Sequence, residues 1–156
     1  MKKEQAVLLH NIRSCYNVGS VFRTADGAGV SKIYLTGHTP LPTDRFGRAQ
    51  KEIAKTALGA QLSVPWEYAK TAASVIKKLR GEGWAIVGVE QDARAVDYRS
   101  FDLERPTLFL FGNEVRGLSS QLRDQCDKLL EIPMYGSKES LNVSVTAGII
   151  LFRFSN

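Results

Sequence analysis

Apolar residues recur along this chain in two alternating rhythms. Short runs at 7–12, 32–37, 84–89, 107–111 and 128–132 are apolar almost throughout and read as strands, several of them buried on both faces. Between them, apolar positions fall three and four apart. Beyond Asn17, an N-cap residue type, Val18, Val21, Phe22, Ala25 and Ala28 make one helical face that Gly29 closes. A second helix is predicted over 48–58, with Ile53, Ala54, Ala57 and Leu58 inward and Gly59 as its stop. A third is predicted over 71–80 and a short one over 119–127. Residues 64–68 read as a short edge strand, because Pro65 removes a ladder donor. The polar stretch 90–105 predicts a long connection with little regular structure. The last segment fits two patterns. Val143, Val145, Ala147 and Ile149 alternate as in a strand, Val143, Ala147, Ile150, Leu151 and Phe154 fit a helix, and length favours the helix. Strands alternating with helices from end to end predict a single α/β domain over 1–156, a mainly parallel sheet flanked by helices.

Composition narrows the setting. The 156 residues, 44% hydrophobic and 24% charged, suit one globular domain. A net charge of +5 admits a polyanionic partner without requiring one. Cys15 and Cys126 lie far apart with no metal-like spacing, which suits free thiols in a reducing compartment. No signal-like apolar stretch follows the first residues and no run is long enough to span a membrane, so the expectation is a cytoplasmic protein.

Ligands of open parallel sheets bind beyond the carboxyl ends of the strands, which points to three segments, 13–17, 112–119 and 132–145. Just past the first, Gly19, Arg23 and Gly27 fall at i, i+4 and i+8, an arginine between two glycines whose missing side chains would let a ligand or another backbone approach the guanidinium. The second, Gly112-Asn113-Glu114-Val115-Arg116-Gly117-Leu118-Ser119, imitates a phosphate-binding loop, but Leu118 stands where that motif needs lysine, which argues against a nucleoside triphosphatase. Glu114 fits a surface charge, a partner for Arg116 or Arg23, or a site residue. The third segment, dense in Gly, Ser, Lys, Glu and Asn, reads as a surface loop ending at an N-cap or as a site. With only His10 and His38 available there is no credible Ser/His/Asp set, and no Cys/His cluster predicts a metal. Arg45, Arg48, Lys51 and Lys55 make a basic stripe that serves a solvated helix face or a phosphate-contacting surface equally well.

Three segments taken together resemble a known family. Asn17-Val18-Gly19-Ser20-Val21-Phe22-Arg23-Thr24-Ala25-Asp26, then Leu110-Phe111-Gly112-Asn113-Glu114-Val115-Arg116-Gly117-Leu118-Ser119, then Ile132-Pro133-Met134 with Ser140-Leu141-Asn142-Val143-Ser144-Val145 are similar in order and spacing to motifs one, two and three of the SpoU/TrmH-type RNA 2′-O-ribose methyltransferases of the SPOUT superfamily. The resemblance implies a C-terminal deep trefoil knot, S-adenosylmethionine as cofactor, and a homodimer whose sites are completed across the interface. By motif position Arg23 resembles the catalytic arginine, with Asn17, Glu114, Ser140 and Asn142 as its site companions, and Val89, Gly112, Ile132 and Leu141 fall where the family cups the cofactor. The implied reaction is methyl transfer to a ribose 2′-hydroxyl of RNA, tRNA favoured over rRNA. The alternatives are an RNA-binding protein that keeps the fold without activity and a methyltransferase acting on a base or small molecule. With no additional N-terminal RNA-binding domain, recognition would fall to Arg13, Arg45, Arg48, Lys51 and Lys55, with Lys2 and Lys3, and no membrane or metal is implied.

Overall fold

Along the central strands successive side chains pass to opposite faces of the sheet, and both sets are apolar. The computed structural model of the chain describes residues 3–155. Its elements are β1 (Gln5–His10), α1 (Cys15–Ala28), β2 (Lys32–Thr36), α2 (Lys51–Ala57), α3 (Ala60–Ser63), β3 (Trp66–Ala69), α4 (Ala72–Gly81), β4 (Ala85–Val89), β5 (Val96–Asp97), β6 (Thr107–Phe111), α5 (Ser120–Asp124), β7 (Lys128–Glu131) and α6 (Val143–Arg153). The strands form one seven-stranded sheet in the order β3-β2-β1-β6-β4-β7-β5. Every pairing is parallel. Val7, Leu9, Val87, Phe109 and Phe111 pack with α1, α2 and α6, while Ala6, Leu8, Ile86, Leu108 and Leu110 pack with α4 and α5. The result is the α/β architecture read from the sequence, with helices on both faces. No helix among the described residues is long and apolar enough to cross a membrane, and Cys15 and Cys126 are free thiols.

Two local expectations are corrected, the start of α1 and the extent of the second helix, and two are refined. Helix α1 starts earlier, because Ser14 rather than Asn17 caps it: Ser14 Oγ accepts the N–H of Asn17 at 3.1 Å. Asn17 therefore lies in the first turn, where its own amide turns to other partners. The helix expected over 48–58 is only α2, since Asp44 holds residues 44–48 in a turn by accepting the N–H groups of Phe46 and Arg48 at 2.8 and 3.0 Å. Arg45 and Arg48 thus sit on a loop, and the four cations do not form one helical ridge. The connection 90–105 carries the two-residue strand β5, paired with β7, and a 3₁₀ turn at Tyr98–Ser100 whose cap is Asp97. Finally, the two glycines of α1 serve helix packing. A Cβ on Gly19 would run into Ile53 O and Thr56 Oγ1 of α2, and one on Gly27 would come within 3.1 Å of the Phe152 ring on α6.

The ambiguous final segment is the helix α6, capped by Asn142, whose Oδ1 accepts the Ser144 N–H at 2.8 Å. Only one side of it is buried, through Ala147, Ile150 and Leu151. Val145 and Phe152 stay 49% and 52% exposed on the other side.

Candidate active site

Strand β4 has β6 on one side and β7 on the other. The chain leaves the carboxyl ends of these three neighbours into the segments 89–91, 111–117 and 131–134, and with 140–146 they enclose a cavity of about 360 Å³. This is the position at which open parallel sheets bind ligands, and the volume lies in the usual range for small-molecule sites. Val89, Gly112, Ile132 and Leu141 line it, as do Glu114, Ser140 and Asn142.

The loop after β6 is folded tightly on itself. Asn113 Oδ1 accepts the N–H groups of Val115 and Arg116, both at 2.9 Å, and its amide donates to Asn11 O at 2.9 Å. Gly117 donates its N–H back to Asn113 O at 2.8 Å with φ +65°. A Cβ on Gly112 would collide with the Gly117 carbonyl and stand 2.5 Å from Leu118 N, so the cavity wall closes here only around a glycine. Just beyond β4, Glu90 Oε2 accepts the Leu118 N–H at 2.7 Å and holds the far end of the same loop.

Glu114 ties this loop to the start of α1. Its carboxylate accepts the N–H groups of Arg13 and Ser14 at 2.9 and 3.0 Å and the Asn17 amide at 3.1 Å. Burial pushes its pKa upward, but the backbone N–H groups of Arg13, Ser14 and Glu114 itself, with the Asn17 amide, outweigh that and hold it below the ordinary carboxylate value. Asn17 is 5% exposed, and its Oδ1 accepts from the Asn142 amide at 3.3 Å. One hydrogen-bonded chain therefore runs Glu114–Asn17–Asn142 and joins the three motif segments. Ser140 is exposed at the cavity wall.

The lining carries three carboxylates, Glu90, Glu114 and Glu131, and no lysine, arginine or histidine. Such a cavity repels phosphates and favours a ligand with positive charge. Arg23 is not part of the lining. It stands exposed on α1, six residues beyond Asn17, or roughly 9 Å along the helix axis. Arg13 is exposed beside Glu114. Arg45, Arg48, Lys51 and Lys55 lie on the β2–α2 loop and α2, off the cavity wall. Lys3 donates to Leu103 O at 2.9 Å at the amino-terminal side of β1, the opposite end of the strand from Arg13, so it does not join that surface, and Lys2 lies outside the described residues. Sequence reasoning missed Glu90 and Asn113. The Gly112-Asn113 dipeptide carried a usable signal for the second, because asparagine side chains bond their own backbone in turns.

The chain matches the SpoU rRNA Methylase family over residues 4–152. It is 34% identical over 144 residues to the 23S rRNA (guanosine-2′-O-)-methyltransferase of Pseudomonas aeruginosa, a match covering 92% of this chain and 55% of that one. It is 32% identical over 155 residues to the tRNA (guanosine(18)-2′-O)-methyltransferase of Aquifex aeolicus, covering 97% of this chain and 68% of that one. The AdoMet-bound rRNA methyltransferase of Sinorhizobium meliloti superposes with a TM-score of 0.88 at 33% identity, over 98% of this chain and 56% of that one. The chain thus spans between about half and two thirds of the length of these relatives. The matched residues take in the whole sheet and every segment that lines the cavity, and the chain belongs to the SpoU rRNA Methylase family.

Proposed function

We propose that this chain transfers a methyl group from S-adenosylmethionine to a ribose 2′-hydroxyl of RNA, and that it does so as a homodimer. The observation that carries the reading is the cavity itself, a small-molecule site lined by three carboxylates and no cation at the carboxyl ends of β6, β4 and β7. A sulfonium cofactor, with a net positive charge, suits that lining, and a nucleotide phosphate does not. Gly112 lets the loop backbone close around such a ligand, with Val89, Ile132 and Leu141 as its apolar walls. The C-terminal part, from β6 through α6, is read as the knotted part of the fold. These relatives act on rRNA or on tRNA, and of the two we favour tRNA as the substrate.

When bound, S-adenosylmethionine supplies an electrophilic methyl on a sulfonium whose sulfur leaves as a neutral thioether. The side chains then have to orient a weak nucleophile and provide for its proton. Glu114 acts as an organiser rather than a base, since a carboxylate that accepts three hydrogen bonds and is held low in pKa has little affinity for a proton. Through Asn17 it sets Asn142, and Ser140 and Asn142 face the reacting centre. Arg23 orients the hydroxyl and its neighbouring phosphate with the planar fork of its guanidinium, and the proton leaves through RNA phosphate or water. Arg23 stands outside its own chain's cavity, so it acts in the cavity of the second subunit. The exposed Val145 and Phe152 of α6, which packs beside α1 at Gly27, are the apolar surface for that pairing. Arg13, Arg45, Arg48, Lys51 and Lys55 take the RNA backbone.

The test is mass spectrometry of nucleosides from bulk tRNA and rRNA incubated with the protein and isotope-labelled S-adenosylmethionine. The expected product is one 2′-O-methylnucleoside. A label found on a base with the ribose unmodified, or in neither RNA, overturns the reading.

A further inference from the structure

The loop between β2 and α2 carries an aromatic side chain that the fold does not use. Phe46 is 66% exposed. The loop that presents it is held in one shape. Besides accepting the Phe46 and Arg48 N–H groups, Asp44 takes Arg48 Nε at 2.7 Å. Asp44 and Arg48 also bond through their backbones at 2.8 Å, Gly47 donates to Asp44 O at 2.9 Å with φ +78°, and Thr43 and Ala49 bridge the base of the loop. Two guanidinium carbons stand close to the ring, Arg45 at 4.8 Å and Arg48 at 5.0 Å from its centroid. Folding favours burying a phenyl ring, and here a rigid turn keeps one in water between cations.

We propose that Phe46 is a stacking platform for one unpaired nucleobase of the RNA substrate, with Arg45 and the Lys51 and Lys55 face of α2 on the adjoining phosphates. The proposal rests on the RNA reading above and gives it a point of base contact. Residues 44–55 hold four cations, Arg45, Arg48, Lys51 and Lys55, against two carboxylates, Asp44 and Glu52. The Lys55–Glu52 pair is exposed, so a phosphate competes for that lysine on even terms. Arg45 has no ion pair or side-chain hydrogen bond among the described residues. It is free to swing from the ring to a phosphate and yield its place to a base, while Asp44 keeps Arg48 at the ring. A base in a duplex has both faces covered, so an isolated ring selects an unpaired one, and stacking of this kind tolerates any base identity. A protein partner fits less well, because charge is depleted from the cores of protein interfaces and Phe46 is ringed by it. The loop starts at the carboxyl end of β2, the same edge of the sheet as the cavity, so one RNA reaches both.

The probe is a fluorescein-labelled single-stranded RNA of about twelve nucleotides and an abasic ribose-phosphate oligomer of equal length. Fluorescence anisotropy at fixed salt gives Kd for the full chain and for Phe46→Ala, Phe46→Tyr and Arg45→Ala. Stacking predicts that Phe46→Ala weakens the base-bearing RNA about 5- to 150-fold and changes the abasic oligomer less than about two-fold, while Phe46→Tyr stays near wild type. Arg45→Ala weakens both oligomers and lowers the salt slope by about one. Equal binding by Phe46→Ala and wild type, or an equal loss on both oligomers, overturns the platform while leaving RNA binding intact. A shift of Phe46→Ala from dimer to monomer in sedimentation overturns it as well, since the ring then belongs to a subunit contact. If the wild type binds neither oligomer yet still binds S-adenosylmethionine, the RNA reading fails and the platform with it.

Discussion

Glu114→Gln tests whether the three motif segments are held by one carboxylate. Glu114 accepts three hydrogen bonds, from Arg13 N, Ser14 N and Asn17 Nδ2 at 2.9, 3.0 and 3.1 Å. Glutamine keeps the length and one oxygen. With that oxygen between Ser14 N and Asn17 Nδ2, its NH₂ meets the Arg13 N–H, donor against donor. A hydrogen bond to a charged group contributes roughly 1.5–3 kcal/mol, and the exposure of Glu114 reduces this, so the expected loss is about 1 kcal/mol. In a domain of this size that lowers Tm by about 2–4 °C. The pH dependence adds a second check. The folded carboxyl titrates below its ordinary value of 4.5, because the N–H groups outweigh the upward push of burial. Its contribution is therefore complete above that value and is lost as pH falls through the folded pKa. Urea denaturation of both proteins at neutral pH and at steps down to about pH 3 measures the gap. The two should differ at neutral pH and converge in acid. A neutral-pH difference inside the about 0.5 kcal/mol of ordinary surface substitutions, or one that persists unchanged into acid, refutes the argument.

Three further substitutions separate packing, pairing and chemistry. Gly19→Ala gains about 1 kcal/mol of helix propensity but drives a Cβ into Ile53 O and Thr56 Oγ1, and overpacking at about 1–3 kcal/mol outweighs the gain, so its melting temperature should fall; a rise would show α1 and α2 parting freely. Phe152→Asp places a charge on the exposed apolar side of α6 and should give monomers in sedimentation velocity with the fold retained, whereas an unchanged dimer would locate the subunit contact elsewhere. Arg23→Lys keeps the charge and loses the planar fork, so methyl transfer should fall at least about ten-fold with S-adenosylmethionine affinity unchanged, and a rate near wild type would remove any role that needs the fork.

What could be read from the sequence follows from where the deciding partner lies. The strands 107–111 and 84–89 were legible because burial on both faces leaves a continuous apolar run, and the core face of α1 because its period is local. The start of α1 was not. Ser14 and Asn17 are both capping types, and only the fold shows that the Asn17 amide goes instead to Glu114, 97 residues away. Arg48 was placed on a helix because nothing in its spacing reveals that Asp44 has claimed its backbone N–H. Gly19 looked like room for a ligand or another backbone, and it is the second, a carbonyl of α2 that only tertiary structure brings there. Strand β5, at two residues, is too short to leave a period.

The site shows the same limit more sharply. Glu114 stayed open among three readings because two of its partners are backbone N–H groups, and a backbone N–H leaves no mark on the identity of the residue that owns it. Glu90, Glu114 and Glu131 are three of 16 acidic residues, each at or within three positions of a strand end, and nothing in their spacing marks them as neighbours. They share a cavity only because the order β6-β4-β7 sets three strand ends side by side. Arg45, Arg48, Lys51 and Lys55 follow β2 in the chain, on the β2–α2 loop and α2, and none of them lines the cavity. The net charge of +5, which suits a polyanion, and the acidic cavity, which suits a cation, are therefore not in conflict. On the methyl-transfer reading proposed above, reactants of opposite charge then have separate attractive surfaces, the acidic cavity for one and the β2–α2 segment for the other.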